Sequence, residues 1–154
     1  MKIEYLADHP EFMETVATWR YKEFIEGIRL GISYEQVLAA VKNCKISEFP
    51  ICLAAIEDGV CAGTVSIVHN DLRYRDYTPW LASLYVDPAY RNRKIGERLI
   101  ERVKDIAREM GYGELYLRTE HASGYYRKLG GWAFVESCED EFGLVPDVFK
   151  TALH

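Results

Sequence analysis

Residues 79–110 read PWLASLYVDPAYRNRKIGERLIERVKDIAREM, and they contain three structural signals in direct succession. The segment Leu81–Val86 is apolar enough for a buried strand, and Asp87-Pro88 ends it. A basic turn, RNRKIG, then leads into a segment whose apolar residues recur at helical spacing: Ile95, Leu99, Val103, Ile106 and Met110. We therefore predict a strand, a short turn and an amphipathic helix that Gly111 ends.

The turn before this helix is predicted to bind a phosphate or pyrophosphate group. The first N–H groups of a helix have no partners within it, and the helix dipole places partial positive charge there. Arg91, Arg93 and Lys94 add formal positive charge around the same donors. A strand, a basic turn and a helix N-terminus together form a typical anion site.

Composition limits the class of protein. The chain has 154 residues, of which 49% are hydrophobic and 28% charged, so we expect one domain, 1–154, with a substantial core. The net charge of −5 argues against a nucleic-acid partner, because such proteins usually present a basic surface. No segment resembles a signal peptide or a membrane span, so we expect a cytoplasmic protein without a membrane partner.

The four cysteines show no paired spacing. Cys44, Cys52, Cys61 and Cys138 are scattered singly, so we expect no metal site and a reducing compartment. Cys52 and Cys61 fall within apolar segments and are expected to be buried, inert thiols.

The remaining elements follow from local patterns. We predict strands at 2–6, within 51–68 on both sides of Asp58-Gly59, and at 114–119, 132–137 and 144–153. Asp8 is expected to cap a helix that starts near Pro10, the pair Ser33 and Gln36 to open a second helix, and 122–129 to form a short one. The order βααβββαβαββ indicates an α+β (mixed α/β) fold, a mixed sheet with helices on its faces.

Two motifs, YRNRKIGERL at 90–99 and GYYRKLGGW at 124–132, make the chain resemble the GNAT superfamily of acetyl-CoA-dependent N-acetyltransferases. The family pattern Arg/Gln-x-x-Gly-x-Gly/Ala falls on Arg91, Lys94 and Gly96. Lys94 stands where the family usually has its first glycine, so it must adopt an unfavourable backbone angle or shift the loop. The resemblance implies a mostly antiparallel central sheet, splayed at the cofactor site, with helices on both faces.

By this resemblance the co-substrate is acetyl-CoA. The backbone groups of Leu84, Tyr85 and Val86 are expected to pair with its pantetheine arm, in the gap beside the strand that ends at Thr119. Arg91 is expected to support the turn. The pyrophosphate would be held by the main-chain N–H groups of Asn92, Arg93, Lys94, Ile95, Gly96 and Glu97.

The expected catalytic residue is Tyr126, which matches the family tyrosine of the second motif. A phenol is protonated at neutral pH and can supply a proton to the departing thiolate. Its neighbour Tyr125 is expected to pack, and the Val86 N–H to meet the developing oxyanion. Relatives often place a glutamate where this chain has Trp80. No base is assigned: the candidates by residue type are His69, Asp71, Asp76 and Glu120, and a water chain would also serve.

The acceptor is expected to be a small-molecule or peptide amine. Residues on the acceptor side are acidic or aromatic and would suit a cation, although a charged run such as residues 138–143 is usually just a solvated loop, which is the favoured interpretation there. These residues are Trp19, Tyr21, Glu23, Glu26, Tyr74, Tyr77, Trp80, Glu139, Asp140 and Glu141. The sequence leaves open whether the acceptor is a small amine, an aminoglycoside, an amino acid or a peptide, and whether the protein is a homodimer.

Three function classes remain in competition. The first is an N-acetyltransferase that moves the acetyl group to a primary amine by direct attack in a ternary complex, because no cysteine is placed for an acyl-enzyme. The second is a GNAT-like acyl-CoA-binding or regulatory module without turnover. The third is a nucleotide hydrolase, and the absence of a GxxxxGK[ST] motif counts against it.

Overall fold

The computed structural model describes residues 1–154 and contains seven strands and four α-helices. The strands are β1 (Lys2–Tyr5), β2 (Ile51–Glu57), β3 (Val60–Val68), β4 (Trp80–Val86), β5 (Glu114–Thr119), β6 (Ala133–Ser137) and β7 (Asp147–Ala152). The helices are α1 (Met13–Arg20), α2 (Tyr34–Lys42), α3 (Ile95–Glu109) and α4 (Ser123–Leu129). The predicted order of elements is confirmed.

All seven strands form one sheet in the order β1-β2-β3-β4-β5-β7-β6. Every pair is antiparallel except β4 and β5, which run parallel. These two strands share a single register pair, Trp80 with Tyr116, so they separate beyond that point. The predicted mixed, mostly antiparallel and splayed sheet is therefore confirmed.

Helices cover both faces of the sheet. The apolar side of α3 packs on one face, where Leu99, Ile100 and Val103 join Leu53 and other strand residues in the main core. Neighbouring residues of β2 alternate between faces, so the side chains of Cys52 and Ala54 meet α1 and α2 on the other. Burial of both faces fixes the position of β4 and of the start of α3.

Local sequence rules hold at two turns. Ser33 and Gln36 form a reciprocal capping box, in which the Gln36 N–H donates to the Ser33 hydroxyl at 3.1 Å and the Ser33 N–H donates to the Gln36 side chain at 2.8 Å. Asp58 and Gly59 both have positive φ, 52° and 78°, as a two-residue hairpin turn of type I′ requires.

The first helix starts differently from the prediction. Asp8 lies in a 3-10 turn and caps nothing, because Pro10–Phe12 form a second 3-10 turn and α1 begins only at Met13. The chain then widens into a π-helical turn, Tyr21–Ile25, which the sequence did not indicate. No helix in the structure combines the length and the apolar composition needed to cross a membrane.

All four cysteines are buried free thiols. Cys52 is buried as expected, and an Nη2 atom of Arg20 lies 3.2 Å from its sulfur while the Ser66 hydroxyl lies 3.4 Å away. A hydrogen bond from Cys44, together with the Arg20 charge, outweighs burial and lowers the pKa of Cys52.

Candidate active site

The edge of β4 that faces β5 is free along most of its length. The Asp87 N–H donates to the Ala62 carbonyl at 2.9 Å, towards β3. Because successive residues of a strand direct their N–H groups to opposite sides, the Val86 N–H points into the gap. The Arg91 Nε donates to the Val86 carbonyl at 3.0 Å, which shows that this residue faces away from β3. The gap thus offers unpaired strand groups to a ligand.

A bulge shapes the same strand. Thr64 pairs with Tyr85 and Ser66 pairs with Ala82, so β4 carries one more residue than β3 between these two pairs. Ser83 lies in the bulge with a φ of 55°, a left-handed conformation that is unusual for serine. A bulge bends its strand and increases the local twist, so it helps to turn β4 away from β5.

The start of α3 carries a continuous run of free N–H groups. None of the backbone N–H groups from Asn92 to Glu97 donates a hydrogen bond within the protein, and the helix ladder begins with Arg98 donating to the Lys94 carbonyl. Asn92 and Lys94 both have left-handed backbones, with φ of 66° and 61°. Lys94 thus adopts the less favourable backbone angle, the first of the two outcomes expected where relatives have glycine.

Gly96 lies in the first turn of α3, beside the end of β4. A Cβ atom added here would lie 3.7 Å from the Tyr125 hydroxyl oxygen and 3.8 Å from a methyl carbon of Val86, which are ordinary contact distances. Its backbone angle is also normal, so the protein itself does not require glycine. What the missing side chain leaves open is the space directly above the free N–H groups.

Basic side chains surround this cradle, which we define as residues 91–97. The guanidinium of Arg91 lies over the Tyr85 ring at 5.5 Å, and that of Arg93 lies over the Tyr90 ring at 5.2 Å. Both arginines are exposed and form no salt bridge. Free N–H groups, two guanidinium groups, and a gap beside an open strand edge fit an extended thioester that carries a diphosphate.

The two tyrosines of α4 have different surroundings. Tyr126 is 6% exposed and lies in the main core, edge-on to Trp132, and its hydroxyl has no hydrogen-bond partner in the protein. The only fully enclosed side-chain nitrogens or oxygens without a partner are the Nε atoms of Arg20 and Arg118, so the Tyr126 hydroxyl keeps some access to solvent. Burial, and secondarily Tyr125, raise the pKa of Tyr126, which keeps it protonated.

The prediction that Tyr125 packs is wrong, because this side chain is 42% exposed and its hydroxyl lies at the cradle. Burial of its ring and the charge of Glu97 raise the pKa of Tyr125. Glu97 and Gly96 belong to the same helical turn, so Tyr125 is a second phenol close to the proposed cofactor groups. Neighbouring residues of a helix point about 100° apart, but only the tertiary structure showed which of the two faces the core.

Thr119 ends β5 and pairs with Asp147 of β7. Its buried hydroxyl accepts hydrogen bonds from the Ala122 N–H at 2.8 Å and the His121 N–H at 3.3 Å, and so closes the turn into α4. The Thr119 hydroxyl is therefore already used in hydrogen bonds within the protein. Its expected role in cofactor binding would be to form part of the wall of the gap opposite β4.

The four candidate bases differ clearly in exposure and in their hydrogen-bond partners. His69 and Asp76 are exposed, and His69 contacts the Thr78 hydroxyl at 3.3 Å. Glu120 accepts hydrogen bonds from Arg29 at 3.1 Å and Arg118 at 2.8 Å. Asp71 forms no salt bridge and no side-chain hydrogen bond, and burial raises its pKa to about 6 although Arg118 and Arg29 oppose the shift. Asp71 is the one unpaired carboxylate among the half-buried candidates.

The expected acidic and aromatic acceptor surface is only partly assembled. Trp80 is fully buried against Tyr77 and Tyr116, while the ring of Trp19 packs tilted against that of Tyr85, with their centroids 5.2 Å apart. Tyr21 packs on Tyr34, whereas Glu23, Glu26, Tyr74, Glu139 and Glu141 are exposed. Asp140 is 3% exposed and accepts a 2.6 Å hydrogen bond from Arg118, so it is not part of a wet loop.

Arg29 and Arg118, near the candidate acceptor side, were not identified as functional candidates from the sequence. Arg118 lies on β5 between apolar residues, with only 6% of its side chain exposed, and Arg29 follows the π-helical turn. Both side chains line a cavity of about 330 Å³ beside Ser83. Arg118 lies on the less buried side of β5 with Glu114 and Tyr116, so no local pattern in the sequence distinguished it. No group of three or more histidine, cysteine or acidic residues is arranged to hold a metal ion.

The open sheet, the bulged strand and the free helix start together define an acyltransferase fold. The chain belongs to the acetyltransferase (GNAT) family, whose sequence profile matches residues 13–131. Comparison with curated protein sequences gives no significant match.

Solved structures show the same fold at low sequence identity. An aminoglycoside 6'-N-acetyltransferase complexed with coenzyme A is 16% identical, with a TM-score of 0.77 over 100% of this chain and 98% of that one. The aminoglycoside 6'-N-acetyltransferase from Enterococcus faecium is 16% identical, with a TM-score of 0.74 and the same coverage. The N-acetylglutamate synthase from Neisseria gonorrhoeae, complexed with coenzyme A and N-acetyl-glutamate, is 17% identical, with a TM-score of 0.66 over 100% of this chain and 36% of that one.

Proposed function

We propose that this chain, as a single domain, is an N-acetyltransferase that moves an acetyl group from acetyl-CoA to a primary amine by direct attack in a ternary complex. The observation that carries the proposal is the run of free N–H groups from Asn92 to Glu97, which lies next to the open edge of β4. Several structural neighbours are described as complexed with coenzyme A, which supports the same ligand here.

Each part of the cradle has a separate role in this proposal. The N–H groups of residues 92–97 bind the pyrophosphate, and Arg91 holds the turn against β4 through the Val86 carbonyl. Leu84 and Val86 face the gap and pair with the pantetheine amides as a further strand would, whereas the backbone of Tyr85, for which the same pairing was expected, faces β3 opposite Thr64. Bound acetyl-CoA supplies the activated acetyl group. The Val86 N–H faces the gap and stabilises negative charge on the carbonyl oxygen.

Tyr126 completes the chemistry as the general acid. The amine nitrogen forms a bond to the acetyl carbon, the carbon–sulfur bond breaks, and the Tyr126 hydroxyl gives its proton to the sulfur. The proton lost from the amine nitrogen passes to water, from which the Tyr126 phenolate is reprotonated. The hydroxyl is free of protein partners and its raised pKa keeps the proton available at neutral pH. No cysteine is needed as an acyl carrier, in accord with a ternary complex.

A binding module without turnover is the second candidate. It is favoured by Trp80, which fills the place of the family glutamate as a fully buried core residue and cannot accept a proton. The left-handed backbone of Lys94 also favours a binding module, because a lysine replaces the family glycine within the cradle itself.

Two measurements test the proposal. Titration calorimetry of the native protein with acetyl-CoA should show binding, and release of free coenzyme A thiol should then depend on an added primary amine. Binding without thiol release for a broad amine panel would support the module. The absence of any heat with acetyl-CoA, on verified folded protein, would refute both the N-acetyltransferase and the binding module.

A further inference from the structure

The cavity beside Ser83 lies between the π-helical turn, the loop after β3, and the ends of β4 and β5. Its volume is about 330 Å³, which suits a small molecule better than a long peptide. Ser83 lies in the bulge one residue before Leu84, and Arg118 lies one residue before Thr119. The cavity is therefore lined by residues of both strands that border the gap proposed to admit the thioester.

Three guanidinium groups and three carboxylates line this cavity: Arg29, Arg73 and Arg118, with Asp71, Glu120 and Glu141. Arg118 is held rigidly, because its Nη2 donates to Asp140 at 2.6 Å and to Glu120 at 2.8 Å, and its Nη1 donates to the Asp71 carbonyl at 3.2 Å. Its Nε has no partner although 94% of the side chain is buried. This Nε is enclosed, so Arg118 contributes its positive charge to the cavity and not an accessible Nε–H donor.

Of the other charged side chains in the cavity, some are paired within the protein and some have no protein partner. One guanidinium nitrogen of Arg29 donates a hydrogen bond to Glu120 at 3.1 Å, and another donates to the Phe24 carbonyl. Arg73 is exposed and forms no ion pair, and the carboxylate of Asp71 has no protein partner. The cavity thus offers guanidinium N–H donors of Arg29 and Arg73 and two unpaired carboxylates, the half-buried Asp71 and the exposed Glu141.

We infer that the acceptor is a zwitterion of the amino-acid type, whose carboxylate is bound by the arginines of this cavity and whose ammonium group meets Asp71. This inference rests on the proposed function. Guanidinium groups recognise carboxylates through paired hydrogen bonds. The lining carries three guanidinium groups and three carboxylates, so a ligand with one charge of each sign matches it better than a polycationic acceptor does.

The same arrangement balances the proton transfer. Asp71 takes one proton from the ammonium group, and the freed lone pair forms the nitrogen–carbon bond. The carbon–sulfur bond breaks as the Tyr126 proton passes to sulfur, and the second proton leaves the new amide nitrogen for water, from which the Tyr126 phenolate is reprotonated. Asp71 releases its own proton to water before the next turnover. The reaction needs no further reactant. Asp71 thereby fills the role of base that Trp80 cannot perform.

The test compares matched acceptors on the native protein. Each of the common amino acids is assayed with acetyl-CoA beside its carboxamide, and kanamycin serves as the polycation. We expect kcat/KM for the preferred amino acid to exceed that of its carboxamide by about 10- to 100-fold, the factor that charged hydrogen bonds supply. Equal rates for acid and amide, or a better rate with kanamycin, would overturn the inference while leaving the proposed function intact.

Binding without turnover is measured separately, by calorimetry of the same amino acids in the presence of coenzyme A. Failure of every carboxylate-bearing amine to bind there overturns the inference. Failure of acetyl-CoA itself to bind identifies a failure of the proposed function instead.

Substitution of Arg29 adds a second line of evidence, because Arg118 is too deeply buried to change safely. Arg29→Gln should raise KM for the amino acid about tenfold or more and leave the carboxamide unaffected. Arg108→Gln removes an exposed arginine that pairs with Asp105 on α3, far from the cavity, and is the matched control. Equal effects of Arg29→Gln on acid and amide would contradict carboxylate binding at this residue.

Discussion

The Tyr125 hydroxyl oxygen lies 3.7 Å from the point where any residue other than glycine would carry its Cβ atom at position 96. Tyr125 stands at the start of α4 and Gly96 at the start of α3, so this contact joins the two family motifs. The protein alone would accept a small side chain at this position. The proposed cofactor would explain the glycine, because its pyrophosphate needs the space above the free N–H groups.

Gly96→Glu should abolish acetyl-CoA binding while the protein stays folded. The new carboxylate would occupy the cradle and repel a pyrophosphate, whereas its Cβ meets only ordinary contacts. Gly96→Ala is the control, and should stabilise the helix by about 0.5–1 kcal/mol. Calorimetry measures the affinity and thermal unfolding measures the fold. Unchanged affinity in Gly96→Glu would exclude the cradle.

Tyr126→Phe should lower kcat by about 10²- to 10⁴-fold without weakening acetyl-CoA binding, as the loss of a general acid does. Because the hydroxyl has no protein partner, we expect the free energy of unfolding to change by no more than about 0.5 kcal/mol. Tyr125→Phe is the matched control and should mainly change cofactor affinity. If kcat falls only in Tyr125→Phe, the acid is Tyr125.

Lys94→Gly separates backbone strain from charge. Glycine tolerates the left-handed backbone, so relief of strain should stabilise the protein by about 1 kcal/mol and favour the cradle geometry. Loss of the ammonium charge should weaken phosphate binding. Lys94→Met keeps the strain and removes only the charge. We expect acetyl-CoA affinity to fall in Lys94→Met and to recover, at least in part, in Lys94→Gly.

The pH dependence of activity should report Asp71. Burial raises the pKa of this carboxyl to about 6, so it is ionised and able to accept a proton only above that pH. We expect kcat/KM for the amine to fall as the pH decreases through about 6. Asp71→Asn should lose at least about 100-fold in kcat/KM, together with this acid limb. An identical limb in the variant would assign it to another group.

Stability should also depend on Asp71, with a defined sign. Its pKa is 3.8 in a model peptide and about 6 in the folded protein, so the unfolded chain ionises first and the native state loses stability as the pH rises between these values. Asparagine does not titrate. Asp71→Asn should therefore gain about 1–3 kcal/mol relative to the native protein between pH 4 and pH 7. Urea unfolding at both pH values measures this difference, and a constant difference would contradict it.

The cradle and much of the fold around it could be predicted, because the sequence signals for them are local. The periodic apolar residues of α3, the basic turn before it, and the Asp58-Gly59 hairpin each depend on neighbours within a few residues. Asp8 misled the prediction for a physical reason: its side chain can cap a helix, but the chain forms two 3-10 turns here and starts α1 only at Met13. The π-helical turn at Tyr21–Ile25 has no comparable local signature.

The sequence by itself determined the order of elements, the family motifs and the free helix start, because hydrophobic period and turn chemistry act between residues close in the chain. Only the tertiary structure decided which tyrosine faces the core, that Asp140 pairs with Arg118, and that Arg29 and Asp71 line one cavity. Those relations join residues far apart in the chain. They depend on how β4 and β5 separate, which packing of both sheet faces fixes and no single segment encodes.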